Sequence, residues 1–166
     1  ELLHRETPKE LDKTGYILSG SVNLLCKAAE SCCRELGYET IFLTDRLSCQ
    51  AREAGTFLAS IAGAHCGSGK KAFIAGGETV VKLTGDGRGG RNQELALSAA
   101  AGIAGLENVL IFSLGSDGTD GPTDAAGGWC DGETVFKLME QDISIPEVLA
   151  RNDAYHALEA CDGLII

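Results

Sequence analysis

The sequence predicts an α/β fold with a mixed β-sheet, on three observations. Strand-like and helix-like runs alternate over residues 16–64 in the order strand, helix, strand, helix, which favours parallel strands linked by helical crossovers. Two further strand-like runs, residues 71–75 and 78–84, are separated only by Gly76-Gly77, which predicts a hairpin and so an antiparallel pair. A buried-looking apolar run, Val109 to Ser113, lies between a helical pattern and a turn-rich loop.

Residues 1–14 are polar, contain Pro8 and read as a lead-in. Tyr16 to Ser19 is a short apolar strand. Ser21 or Asn23 supplies the cap of a helix that runs to about Leu36 and stops at Gly37. Thr40 to Thr44 is the second strand. A second helix covers about Gln50 to Ala64, with Ala51, Ala54, Phe57, Leu58 and Ile61 at helical spacing. The pattern changes at the Gly/Ser-rich stretch from His65 to Lys70, which marks a boundary between residues 1–69 and 70–166. The expected hairpin follows. Then come a glycine loop, a helix from Arg91 to about Ala104, the strand at 109–113 and the loop from Gly115 to Asp124. Shorter helices are expected near 132–141, 145–151 and 153–160. Gly163 to Ile166 reads as a strand cut short. With a first residue other than Met, this suggests a piece of a longer protein.

Composition narrows the functional classes. Hydrophobic residues make up 44% of the 166 and charged residues 23%, as in a soluble globular chain. A formal net charge of −10 argues against non-specific binding to nucleic acid or anionic membranes, so any anion site must be local. No apolar run reaches membrane-spanning length. The seven cysteines include no CxxC, are odd in number, and place Cys26, Cys32 and Cys33 in one helix-like run. Free thiols in a reducing cytoplasm are the expectation. Trp129 and Cys130 are expected in the core. His4, His65 and His156 are too scattered to suggest a metal site.

Two loops carry the chemistry. Gly85-Asp-Gly-Arg-Gly-Gly90 matches G-x-G-x-x-G, the pattern that lets backbone approach a dinucleotide pyrophosphate. Three details count against that use: a hairpin arm before the loop, Asp86 inside it, and Arg88 and Arg91 around it. The loop is not a Walker A, because no Gly-Lys-Ser/Thr follows. It suits another anion, with the N–H groups of Gly87, Gly89 and Gly90 turned outward and Arg91 and Asn92 at the helix start. The plainer alternative is a turn with Arg91 in a structural ion pair with Glu94 or Glu78. In the second loop, Asp117, Asp120 and Asp124 supply oxygen ligands for magnesium or accept a proton from a substrate hydroxyl. The plainer alternative there is tight Asp-Gly turns.

Four motifs in order, Gly76-Gly-Glu-Thr79, Gly85 to Glu94, Gly115 to Gly127 and Ala150-Arg-Asn-Asp-Ala-Tyr155, resemble the MOFRL domain of the glycerate 2-kinase family, also known as hydroxypyruvate reductase. Residues 16–64 resemble the segment before it. The resemblance implies a three-layer α/β/α architecture, with residues 1–69 ending an N-terminal region and 70–166 forming a MOFRL domain truncated at its C-terminus. It implies transfer of the ATP γ-phosphoryl group to the 2-hydroxyl of D-glycerate, with Mg2+, in a cleft between two domains. Arg91 then holds substrate carboxylate or transferring phosphoryl, and Asp117 and Asp120 are metal or hydroxyl partners. Asn152 and Asp153 line the same cleft, and Glu78 lies in it or pairs with Arg91. A homodimer is compatible with it. Ser116 stands where the family usually has Thr, and Val80 replaces a common second Thr. A further TGPTGTNVND-like motif falls outside the chain, so this piece alone is expected to be inactive. An NAD(P)H-dependent hydroxypyruvate reductase and a non-catalytic module for small anions are the alternatives.

Overall fold

The computed structural model describes residues 14, 15, 17 and 20–166. The expected lead-in over 1–14 and strand over 16–19 lie outside these, apart from positions 14 and 17. Helix α1 spans Val22–Glu35, capped by the Ser21 hydroxyl accepting from Leu24 N–H at 3.2 Å. Asn23 instead reaches Asp45 on the next strand, donating to Oδ2 at 2.8 Å. Gly37, at φ +82°, takes the left-handed conformation that ends the helix. Strand β1 (Glu39–Leu47), helix α2 (Ala51–His65) and strand β2 (Lys71–Gly77) complete a parallel β-α-β unit, which extends the expected parallel pattern across residues 65–70 to a strand expected in a hairpin.

The expected hairpin does not form. β2 pairs with β1, and Gly76-Gly77 does not reverse the chain. Residues 78–80 run on beside 47–51 in the same direction: Glu78 N–H donates to Leu47 O at 2.8 Å, Val80 N–H to Cys49 O at 3.0 Å, and Ala51 N–H to Val80 O at 2.9 Å. Residues 81–84 join no strand. The Gly-Gly pair serves close passage rather than reversal, with the Leu47 backbone lying where a side chain at Gly77 would stand.

The antiparallel component lies further on. Strands β3 (Leu110–Leu114), β4 (Gly127–Asp131) and β5 (Leu164–Ile165) form a three-stranded antiparallel sheet in that order. Parallel and antiparallel strands are therefore both present, in two sheets. β4 was not foreseen. Helix α3 (Arg91–Ile103) lies between α2 and this sheet. Its alanines permit close approach, and at Gly55 of α2 any side chain would collide with Ser98 and the Leu95 carbonyl of α3. Leu97 and Ile103 of α3 are fully enclosed with Leu138 and Leu158. The latter two sit on α4 (Thr134–Met139) and α6 (Ala154–Ala160). Helix α5 (Ile145–Ala150) lies between these in the chain. On the other face of the sheet Leu110, Phe112 and Leu114 are exposed, and no described element covers them.

All seven cysteines are free. Burial pushes the Cys130 thiol up to about 12, and the Cys161 thiol is also raised by burial. A thiol reagent applied to the native protein should therefore modify the exposed Cys32 and Cys66 and spare Cys130 and Cys161, read by peptide mass spectrometry. Rapid modification of Cys130 without unfolding would contradict this packing.

No helix among the described residues is long and apolar enough to cross a membrane.

Candidate active site

The glycine loop, the start of α3, the loop from Gly115 to Asp124 and the turn before α6 converge. The convergence is built on Asp120. Its carboxylate is buried at the first turn of α3, where Oδ1 accepts from Asn92 N–H at 3.1 Å and Asn92 Nδ2 at 3.0 Å, and Oδ2 accepts from Gln93 N–H at 2.8 Å. A carboxylate there satisfies donors that no earlier turn can satisfy and meets the positive end of the helix dipole. Gly90 permits this, because any side chain at position 90 would collide with the Asp120 carboxyl group. Asn92 also ties the helix to β3, accepting from Ser113 Oγ at 2.6 Å. Gln93 is fully buried, and its Oε1 has no hydrogen-bond partner among the described residues.

Asn152 is the second node. It is buried at φ +57°, a conformation a short amide side chain tolerates. Its Oδ1 accepts from Thr84 N–H at 2.7 Å and Gly85 N–H at 2.9 Å, while Nδ2 donates to Lys82 O at 3.1 Å and Glu94 Oε2 at 3.2 Å. Glu94 is nearly fully buried and accepts from Arg52 Nε of α2 at 3.0 Å. The alternative pairing of Arg91 with Glu94 is thus not formed. Arg91 Nη1 meets Glu78 Oε1 at 2.7 Å, with side chains 43% and 76% exposed.

Asp153 holds the middle of the glycine loop. Its Oδ1 accepts from Arg88 N–H at 2.9 Å and lies 2.7 Å from His156 Nδ1, and Oδ2 accepts from Arg151 at 3.3 Å. Burial pushes this carboxyl up, but the Arg88 and His156 hydrogen bonds and the His156 and Arg151 charges outweigh it and hold it below the ordinary carboxylate range. A depressed folded value stabilises the fold above the unfolded value of about 3.9 and loses that effect as pH falls through the folded value. The melting-temperature gap between wild type and Asp153→Asn should therefore be full at pH 6 and shrink towards pH 3. A gap unchanged across that range would contradict the geometry.

The loop glycines face protein on the side where side chains would stand. At Gly85 that side meets Arg151 backbone at 2.5 Å, and at Gly87 it meets Asp153 Cβ at 2.5 Å. The Gly87 N–H is used by Arg151 O at 2.8 Å. The N–H groups of the consecutive residues Gly89, Gly90 and Arg91 have no hydrogen bond among the described residues, and Gly90 is buried. Asp117 lies in the exposed turn, its Oδ1 accepting only from Thr119 N–H at 3.3 Å. The structure thus gathers Asn92, Asp120, Asn152, Asp153, Gly87, Gly89 and Gly90 into one framework. It leaves Arg91, Glu78 and Asp117 exposed at the surface. The described residues hold no group of three or more His, Cys, Asp or Glu arranged around a metal position.

Sequence reading assigned no role to Arg52 or Tyr155. Arg52 meets Glu94 across 42 positions of chain, a pairing no local pattern signals. Tyr155 closes the Ala150–Tyr155 motif, and its place in that motif was the signal available for it.

The comparisons with known proteins agree with this architecture. The family model described as MOFRL family matches residues 71–166, more than half of the chain. The D-glycerate 2-kinase of Thermotoga maritima is 46% identical over 98% of this chain and 40% of its own length. The glycerate 2-kinase of Pyrococcus horikoshii is 40% identical over 96% of this chain and 38% of its own. A protein of Agrobacterium vitis named putative hydroxypyruvate reductase is 35% identical over 88% of this chain and 40% of its own length. The crystal structure of the Thermotoga maritima glycerate kinase superposes with a TM-score of 0.88, over 98% of this chain and 40% of that one. The chain spans about two fifths of the length of each of these relatives. On the family match and the shared fold, the chain belongs to the MOFRL family.

Proposed function

We propose that this chain is part of a glycerate 2-kinase that transfers the ATP γ-phosphoryl group to D-glycerate, giving 2-phosphoglycerate. The observation that carries the reading is the match to a D-glycerate 2-kinase, 46% identical over 98% of the chain. In this reading residues 1–69 end the N-terminal region and residues 70–166 form the MOFRL domain, joined by the β1–β2 pairing.

The site's chemistry supports it. Arg91 has an exposed guanidinium whose planar fork suits a carboxylate or a phosphoryl group, and Glu78 keeps it oriented until an anion competes. The three adjacent N–H groups at 89–91 add fixed dipoles. Phosphoryl transfer depends chiefly on positioning and charge neutralisation, which such a set provides. The donor chemistry also fits Mg2+, which keeps several waters and takes one or two carboxylates together with substrate phosphates. Asp117 has the available carboxylate, whereas both Asp120 oxygens already accept hydrogen bonds. When bound, Mg-ATP supplies the transferring group and offsets its charge. Asp120, Asn152 and Asp153 keep the glycine loop and α3 in register for it.

The hairpin no longer argues against a dinucleotide in the loop. Instead, protein atoms fill the side of Gly85, Gly87 and Gly90 on which backbone is bare. Thermal shift of the longer protein with Mg-ATP, NADH and D-glycerate separates the readings. Stabilisation by Mg-ATP and D-glycerate is expected, and stabilisation by NADH without Mg-ATP would overturn the kinase reading in favour of the reductase.

A further inference from the structure

The Arg88 side chain, 42% exposed, meets the acidic loop and the start of α6. Its guanidinium carbon lies 4.1 Å from the centre of the Tyr155 ring. Its Nη2 lies 3.3 Å from Asp124 Oδ1, and its Nε donates to Pro122 O at 3.4 Å. The Tyr155 hydroxyl donates to the same Asp124 oxygen at 2.8 Å. The Arg88 backbone is engaged too: its N–H donates to Asp153 at 2.9 Å, and its carbonyl accepts from Tyr155 N–H at 3.0 Å. Three elements therefore meet at one point: the glycine loop through Arg88, the acidic loop through Pro122 and Asp124, and the first turn of α6 through Tyr155.

The two loops touch along their length. Asp120 packs on Gly90, and the side of Gly121 on which a side chain would stand meets the Gly89 carbonyl at 2.5 Å. Asp124 and Pro122 meet Arg88 at the far end of this contact. Asp120 pins the middle of the acidic loop to α3, and Asp124 pins its C-terminal end to Arg88 and Tyr155. Asp117 sits in the turn N-terminal to both anchors.

From this the geometry points to Arg88 and Tyr155 as positioning residues for phosphoryl transfer: a clasp, closed on Asp124, that sets the acidic loop carrying Asp117 against the glycine loop carrying Arg91. The inference rests on the kinase reading above. The clasp touches neither substrate nor metal and acts through the placement of two other side chains. The Asp124 carboxyl, held low chiefly by the tyrosine hydrogen bond, stays charged for Arg88 through the neutral range. Lysine can keep a positive charge near the ring but loses the planar stacking of the guanidinium and the Nε bond to Pro122.

The test uses the longer protein, with steady-state kinetics for Mg-ATP and D-glycerate and a melting temperature for each variant. Wild-type turnover comes first, because a wild type that forms no phosphoglycerate sinks the kinase reading and the clasp's role with it. In an active enzyme, Tyr155→Phe keeps the ring and deletes one hydroxyl, so it folds. Its kcat should fall about 10-fold with both KM values nearly unchanged, on the scale where a 1 Å misplacement costs about 100-fold. Arg88→Lys should do the same. Adding Asp124→Asn to Tyr155→Phe should cost little more, since both open one clasp. If kcat stays within about twofold of wild type, or if its loss simply tracks a falling melting temperature and adds independently across the pair, the clasp is structural and the inference is overturned.

Discussion

Asp120→Ala should lower stability by about 2–4 kcal/mol, a fall of roughly 5–15 °C in melting temperature for a chain of this size. The variant removes the acceptor for Asn92 N–H, Asn92 Nδ2 and Gln93 N–H together. These donors are buried, so water cannot replace the lost oxygen without opening the loop. It also removes a negative charge from the positive end of α3. Asp120→Asn retains one carbonyl acceptor and should lose less. Differential scanning calorimetry of the two variants gives the ordering. An unchanged melting temperature with collapsed turnover would place Asp120 on the substrate or metal instead of at the helix start.

Arg91→Ala should produce the opposite pattern. The Arg91–Glu78 pair is exposed, and exposed ion pairs contribute about 0–1 kcal/mol, so the fold should survive with little change in melting temperature. Turnover of the longer protein should fall about 100- to 1000-fold, the scale for removing one donor aimed at developing transition-state charge. Arg91→Lys keeps the charge but not the fork, and should recover part of the activity. Near wild-type turnover in Arg91→Ala, measured by a coupled assay at saturating Mg-ATP, would show that the arginine serves Glu78 alone.

Elements with their own period were legible in the sequence. The apolar spacing of α2 and the glycine loop opening α3 placed both helices within a few residues. Elements that exist only through a partner were not. β4 reads Gly-Gly-Trp-Cys-Asp and carries few strand formers. It is a strand because β3 pairs with it, from Leu110–Asp131 to Leu114–Gly127, with room made by Gly127 beside Ser113. The run Thr79 to Thr84 failed in the reverse sense. Its composition favours a strand, but residues 78–80 follow the path of residues 47–51, and the Asn152 side chain takes the backbone groups at 82, 84 and 85.

The candidate site divides in the same way. The order of motifs pointed to Asn92, Asp120, Asn152 and Asp153, which the structure ties to the glycine loop and α3. It did not point to Arg91, Glu78 and Asp117 remaining at the surface, nor to how the residues divide the work. The aspartates at 117, 120 and 124 look equivalent in sequence. The structure buries the second under a helix, commits the third to Arg88 and Tyr155, and leaves the first in an exposed turn. Asn152 and Asp153 likewise sit side by side, yet one holds the entry to the glycine loop and the other its middle. Such divisions arise from packing between segments about 30 to 70 residues apart, where sequence spacing carries no signal.

The most direct test is the product itself. The longer protein, incubated with Mg-ATP and D-glycerate, should give 2-phosphoglycerate and ADP, resolved from 3-phosphoglycerate by phosphorus NMR. Consumption of NADH with hydroxypyruvate, and no phosphorylated glycerate under any metal condition, would contradict the kinase reading.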